Sequence, residues 1–156
     1  MTVTIRPAHP DDVAALAALI EEIERFYGGT ALQPFPERRA QTQEALFGPH
    51  PLAHALVAAT EDGELAGLAA YSFLWPASGT THALFLKELY VCDGWRGTGV
   101  GARLMDSLRE VASARPGCSR MEWMADTNNP AARRFYESLG FTELEGKVVY
   151  RVGVEE

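Results

Sequence analysis

Only two cysteines, Cys92 and Cys118, occur among 156 residues. Their spacing matches no zinc or redox pattern, so neither a disulfide framework nor a metal site is expected, and both read as free thiols. Long hydrophobic runs are missing too: no stretch approaches the ~18 apolar residues that cross a bilayer. The opening Met1-Thr2-Val3-Thr4-Ile5-Arg6 lacks the layout of a secretory leader. These absences predict a cytoplasmic protein with no membrane partner. Basic residues are scarce relative to acids: Lys and Arg number 14 against 21 Asp and Glu, a formal net charge of −7. A broad phosphate footprint is therefore missing, and nucleic acid is not an expected partner. A cationic small molecule would suit the charge.

What is present is an ordinary globular composition, 47% apolar and 22% charged. The length predicts one domain spanning residues 1–156, large enough to bury a core without staples. Val3 to Arg6 reads as a first strand. Pro10 opens a helix with Asp11 and Asp12 in its first turn, and Val13, Leu16, Ile20 and Ile23 repeat at helical spacing. Gly28-Gly29 ends it, and Phe26 to Pro36 reads as a loop. A second helix is predicted over Glu37–Phe47. Ala53–Thr60, Leu65–Trp75 and Ala83–Val91 form an antiparallel meander with an Asp62-Gly63 turn. A helix follows from about Gly99 to Arg115, then a strand over Ser119–Asp126. Asn129 caps a short helix, with Pro130 at its start and Gly140 past its end. Phe141–Leu144 and Val148–Val154 are predicted as closing strands. The order β-α-α-β-β-β-α-β-α-β-β predicts an α+β or mixed α/β domain.

One segment carries chemistry. Gly97, Gly99 and Gly101 alternate between a strand and a helix, where bare main-chain N–H groups and a helix N-terminus favour an anion such as a pyrophosphate. Arg96 adds a cationic fork. An unliganded tight turn is one reading. A Rossmann site is another, since Gly97-Thr98-Gly99-Val100-Gly101-Ala102 satisfies its pattern and Glu122 lies about 20 residues on. Against the Rossmann reading, Cys92 to Arg96 intervenes after the strand, and the preceding strands form hairpins. No Gly-Lys-Ser/Thr follows, so a P-loop is excluded.

The third reading is a coenzyme A loop. The stretch Val91 to Ala102 resembles the R/Q-x-x-G-x-G/A signature of GNAT acetyltransferases. Asn128-Asn129-Pro130-Ala131-Ala132-Arg133-Arg134-Phe135-Tyr136-Glu137-Ser138-Leu139-Gly140-Phe141 resembles that family's second motif. The pair, in order and at the expected separation, implies the GNAT fold: a mostly antiparallel twisted sheet flanked by helices. It also implies an acetyl-CoA-dependent N-acetyltransferase. The resemblance assigns the pantetheine arm to Leu89, Tyr90 and Val91. It assigns the pyrophosphate to Arg96, Gly97, Thr98, Gly99, Val100, Gly101 and Ala102, and further cofactor contacts to Asn129, Ala131 and Ala132. Tyr136 matches the tyrosine that lies near the sulfur, where a phenol can protonate a leaving thiolate. Glu88 and Glu122 are the candidate bases. By strict alternation Glu88 shares a face with Leu86 and Tyr90, and Lys87 shares the other with Phe85 and Leu89.

Phe47-Gly48-Pro49-His50-Pro51, Ala55 to Ala58 and Leu86 to Val91 are similar to diamine (spermidine/spermine-type) and thialysine acetyltransferases. That resemblance implies a homodimer, and Phe26 and Tyr27 fall where the subgroup contacts substrate. Lys87 stands where that subgroup carries an acid, and a lysine there repels a polycation. The expected reaction is direct acetyl transfer to a primary amine of a small molecule. The alternatives are a peptide or protein N-acetyltransferase and a non-catalytic acyl-CoA-binding module.

Overall fold

The computed structural model describes residues 2–30 and 32–155; residue 31, inside the predicted loop 26–36, lies outside the described residues. The chain divides into two compact units, Met1–Met124 and Ala125–Glu156. The first holds strands β1 (Val3–Pro7), β2 (His54–Thr60), β3 (Leu65–Leu74), β4 (His82–Val91) and β5 (Cys118–Trp123), with helices α1 (Val13–Phe26), α2 (Phe35–Phe47) and α3 (Val100–Ala114). The strands lie in the order β1-β2-β3-β4-β5. All neighbours are antiparallel except β4 and β5, which run parallel because α3 crosses between them. The architecture is the expected mixed α/β one with a mostly antiparallel sheet.

The two faces of the sheet can be followed through its register, because paired residues share a face. Val57 pairs with Leu68 and Leu68 with Tyr90. These three pack with Leu16, Leu19 and Ile23 of α1 in one buried cluster. Gly67 lies on the opposite face, where a Cβ would come 3.5 Å from Leu104 of α3. Leu104 and Leu108 are fully buried there. The amphipathic spacing read from the sequence therefore seats α1 and α3 on opposite faces. Asp12 fixes the entry to α1: its carboxylate takes two bonds from the Arg6 guanidinium, at 2.7 and 3.0 Å, and one from the His9 N–H at 2.7 Å.

The second unit holds α4 (Pro130–Ser138). Asn129 caps it as expected, its side-chain oxygen accepting from the Ala132 N–H at 3.2 Å. Gly140, at φ +87°, ends the turn beyond it. The predicted strands Phe141–Leu144 and Val148–Val154 do not form. A strand exists only through its ladder, and among the described residues neither segment joins one. Val148, Tyr150, Val152 and Val154 keep their alternation but remain exposed.

Candidate active site

The chain leaves β4 at Val91 and turns through Asp93–Trp95, closed by bonds from Trp95 N–H to the Cys92 carbonyl and from Arg96 N–H to the Asp93 carbonyl. Gly97 and Gly99 then adopt φ of +75° and +90°, the left-handed region. A Cβ at either would meet nothing within 4 Å, so the glycines face open space on one side. Gly99 is the N-cap of α3 and supplies no side-chain bond to the helix's first turn. The Thr98 hydroxyl is directed at the Trp95 carbonyl. The loop therefore presents main chain and a helix N-terminus to whatever enters, which fits the pyrophosphate of a coenzyme A. The Arg96 side chain departs from the simple cationic fork. Its Nε donates to the Val91 carbonyl at 2.9 Å and its Nη1 to Asp93 at 3.2 Å. The guanidinium carbon sits 4.8 Å from the Phe26 ring centroid and 5.3 Å from that of Tyr90.

Beside this loop β4 and β5 part. Their ladder runs from His82↔Cys118 to Leu86↔Trp123 and stops. Beyond Leu86, among the described residues, β4 pairs only with β3, through Glu88, Leu89, Tyr90 and Val91. The Leu89–Val91 backbone thus lies beyond the end of the β4–β5 ladder, next to the glycine loop.

The register of β4 corrects the alternation expected for it. Ala70 pairs with Glu88 and Tyr71 with Leu86, so Lys87 is the extra residue of a β-bulge. Two residues then oppose one, and the side-chain pattern shifts. Ala70 and Tyr71 face opposite ways, so Glu88 shares the α1 face with Tyr90 while Leu86 lies on the α3 face. Lys87 itself is exposed. Phe85 pairs with Ser72, which places it on the α1 face, and Glu122 of β5 pairs with Phe85. Both candidate bases therefore lie on the face that carries α1, on adjacent strands. Glu122 accepts from Arg120 Nε at 3.2 Å.

Phe26 and Tyr27, at the end of α1, are about half exposed and packed edge to face, and Phe26 also meets the Tyr90 ring edge-on at 5.7 Å. Glu22, one turn earlier, interacts with both the Tyr90 hydroxyl and the Cys92 thiol. Burial, with Glu22 nearby, raises the Cys92 thiol to about 11. A thiol held that high is protonated at neutral pH and is a poor nucleophile. Burial and Glu22 likewise raise the Tyr90 phenol. Among the described residues no group of His, Cys, Asp and Glu could hold a metal ion.

In the second unit, Tyr136 lies half-buried on α4 with its ring centroid 5.2 Å from that of Phe135. Ala132 is half-buried on the same helix and Ala131 exposed. The Asn129 oxygen is used by the helix cap, which leaves its amide N–H groups as the side chain's donors.

The model of the GNAT acetyltransferase family matches residues 16–141. The chain belongs to that family. It is an acetyl-CoA-dependent N-acetyltransferase. Relatives of this GNAT chain include the thialysine N-epsilon-acetyltransferase of Mus musculus, 27% identical over 94% of this chain and 90% of that protein. The human spermidine/spermine N(1)-acetyltransferase-like protein 1 is 32% identical over 97% of this chain, which spans only 23% of that longer protein. Among solved structures, an integron cassette protein from the mobile metagenome of V. cholerae superposes with a TM-score of 0.87 at 28% identity, over 98% of this chain and 93% of that one. These relatives bear out the resemblance to the diamine and thialysine enzymes.

Two features of this GNAT site were not read from the sequence. The first is the bulge at Lys87, which a period-2 pattern cannot register. The second is the cluster of Glu22, Phe26, Tyr90, Cys92 and Arg96. Part of its signal is present, since Glu22 and Phe26 stand four apart on α1 and so share one helix face.

Proposed function

We propose that this GNAT enzyme moves the acetyl group of acetyl-CoA to a primary amine of a small cationic molecule by direct attack. The observation that carries the reading is the shared face of Glu88 and Glu122, beside the end of the β4–β5 ladder and the open glycine loop. Gly97 to Gly101 would hold the pyrophosphate, and the Leu89–Val91 backbone the pantetheine arm. Asn129, Ala131 and Ala132 would complete the cofactor contacts. The amine must lose a proton to attack. Its nitrogen then bonds to the thioester carbonyl carbon, the carbon–sulfur bond breaks, and coenzyme A leaves as thiolate. Glu88 or Glu122, the two carboxylates on that face, takes the amine proton, directly or through water. The Tyr136 phenol protonates the thiolate. Phe26 and Tyr27 line the acceptor side, and acids on the α1 face suit a cation, while Lys87 selects against long polycations.

The test is coenzyme A release from acetyl-CoA with a panel of diamines, lysine analogues and short peptides. Turnover with the small amines supports the reading. Turnover with peptides alone, or none with any acceptor despite acetyl-CoA binding, overturns it.

The same reading makes the enzyme a cytoplasmic homodimer. The alternating, exposed Val148 to Val154 segment joins no ladder among the described residues, and an unpaired sheet edge on a second copy would provide one. Sedimentation of the full chain as a dimer, and as a monomer when residues 147–156 are removed, is the expected result. A full-length monomer would contradict it.

A further inference from the structure

We propose that Arg96 acts as a positioning residue, not a phosphate ligand: its guanidinium, packed against both the Phe26 and Tyr90 rings, ties the acceptor-side end of α1 to the coenzyme A loop. This rests on the coenzyme A reading of that loop. Four contacts converge on one side chain. Nε closes the turn onto the Val91 carbonyl at 2.9 Å. Nη1 reaches Asp93 at 3.2 Å. Two aromatic faces lie 4.8 and 5.3 Å from the guanidinium carbon, one from α1 and one from β4. Three elements therefore share one cation. Tyr90 is in turn fixed, 6% exposed and packed against α1. Glu22 of α1 lies near enough to the Tyr90 hydroxyl to help raise its pKa.

The consequence is a link between the two halves of the site. Gly97 follows Arg96 directly and adopts φ +75°, so the direction in which Arg96 leaves the turn sets where the Gly97–Gly101 amides point. Phe26 is 52% exposed and lies at the segment assigned to the acceptor. An acceptor that displaces the Phe26 ring would loosen Arg96, and with it the phosphate loop. One that packs against the ring would tighten both. The residue thus makes coenzyme A affinity sensitive to a side chain that never touches coenzyme A.

A double-mutant cycle on coenzyme A binding, read by calorimetry, tests this. Phe26→Ala and Arg96→Ala should each weaken coenzyme A about fivefold, and the double variant should be no weaker than either single one. Phe26→Tyr, which keeps an aromatic face, should restore wild-type affinity, whereas Phe26→Leu should not. In turnover, KM for acetyl-CoA should rise by the same factor in Phe26→Ala, Arg96→Ala and the double variant. The proposal is overturned if Arg96→Ala weakens coenzyme A while Phe26→Ala leaves it unchanged, because Arg96 would then be a direct phosphate ligand. Amide exchange in the ligand-free protein separates the two readings. Faster exchange at Gly97 to Gly101 in Phe26→Ala supports the tie even if the wild type binds no coenzyme A, an outcome that would refute only the coenzyme A reading. Unchanged exchange refutes the tie.

Discussion

Substituting Gly99 by alanine separates a backbone cost from a ligand cost. Gly99 sits at φ +90° and ψ 1°, and an added Cβ would meet nothing within 4 Å. The only folding penalty is therefore that of an L-residue in the left-handed region, about 1–2 kcal/mol. For a chain of this size each kcal/mol lowers Tm by about 2–4 °C. Gly63, in the turn between β2 and β3, supplies the matched control. Its φ is +84°, and it too has open space around a Cβ. Gly63→Ala and Gly99→Ala should lose the same stability by thermal melting. They should differ in function, because at Gly99 the methyl enters the space read as the pyrophosphate site. Displacing one amide bond to a charged phosphate costs about 1.5–3 kcal/mol, roughly ten- to hundredfold in affinity. Steady-state kinetics should show KM for acetyl-CoA raised by that factor in Gly99→Ala alone. Equal KM values for Gly63→Ala, Gly99→Ala and the parent enzyme would refute the reasoning, as would a KM rise in Gly63→Ala.

Tyr136→Phe should lower kcat by about 10²-fold or more while leaving coenzyme A affinity unchanged, as expected for a general acid; stopped-flow and equilibrium titration check the two halves separately. Leu104→Ala, at a fully buried site against Gly67, should cost about 3–5 kcal/mol in urea unfolding. Hydrogen bonds from Arg6 chiefly, aided by that of the His9 N–H, hold Asp12 below the usual carboxylate range. A depressed folded pKa stabilises above the unfolded value and is lost as pH falls through the folded one. The stability gap between wild type and Asp12→Asn should therefore be constant at about 1–2 kcal/mol near neutrality. It should shrink below pH ~4, with Arg6's partial exposure limiting its size. A gap that persists unchanged at low pH would refute that assignment.

Most elements were legible because their signals are local. Helical spacing of Val13, Leu16 and Ile23 encodes the buried face of α1, and all three are buried. The Asn129, Pro130 and Gly140 signals mark both ends of α4. The glycine loop was legible because left-handed backbone demands glycine. Features that depend on a distant partner were not. The alternation of Val148 to Val154 tells which side chains share a face but not whether a neighbouring strand exists. Glu88 was assigned its face by counting in twos from Leu86, and the bulge at Lys87 breaks that count. Arg96 looked like a ligand for phosphate because Phe26, which meets its guanidinium, lies far away in the chain.

The central claim is that Gly97 to Gly101, with the Leu89–Val91 backbone beyond the end of the β4–β5 ladder, forms the coenzyme A site. The most direct measurement is a coenzyme A titration followed by backbone amide chemical shifts. The account predicts the largest saturable shifts at Gly97, Gly99 and Gly101, with a second set at Leu89, Tyr90 and Val91. Saturable shifts confined to other residues, or none at all, would contradict it.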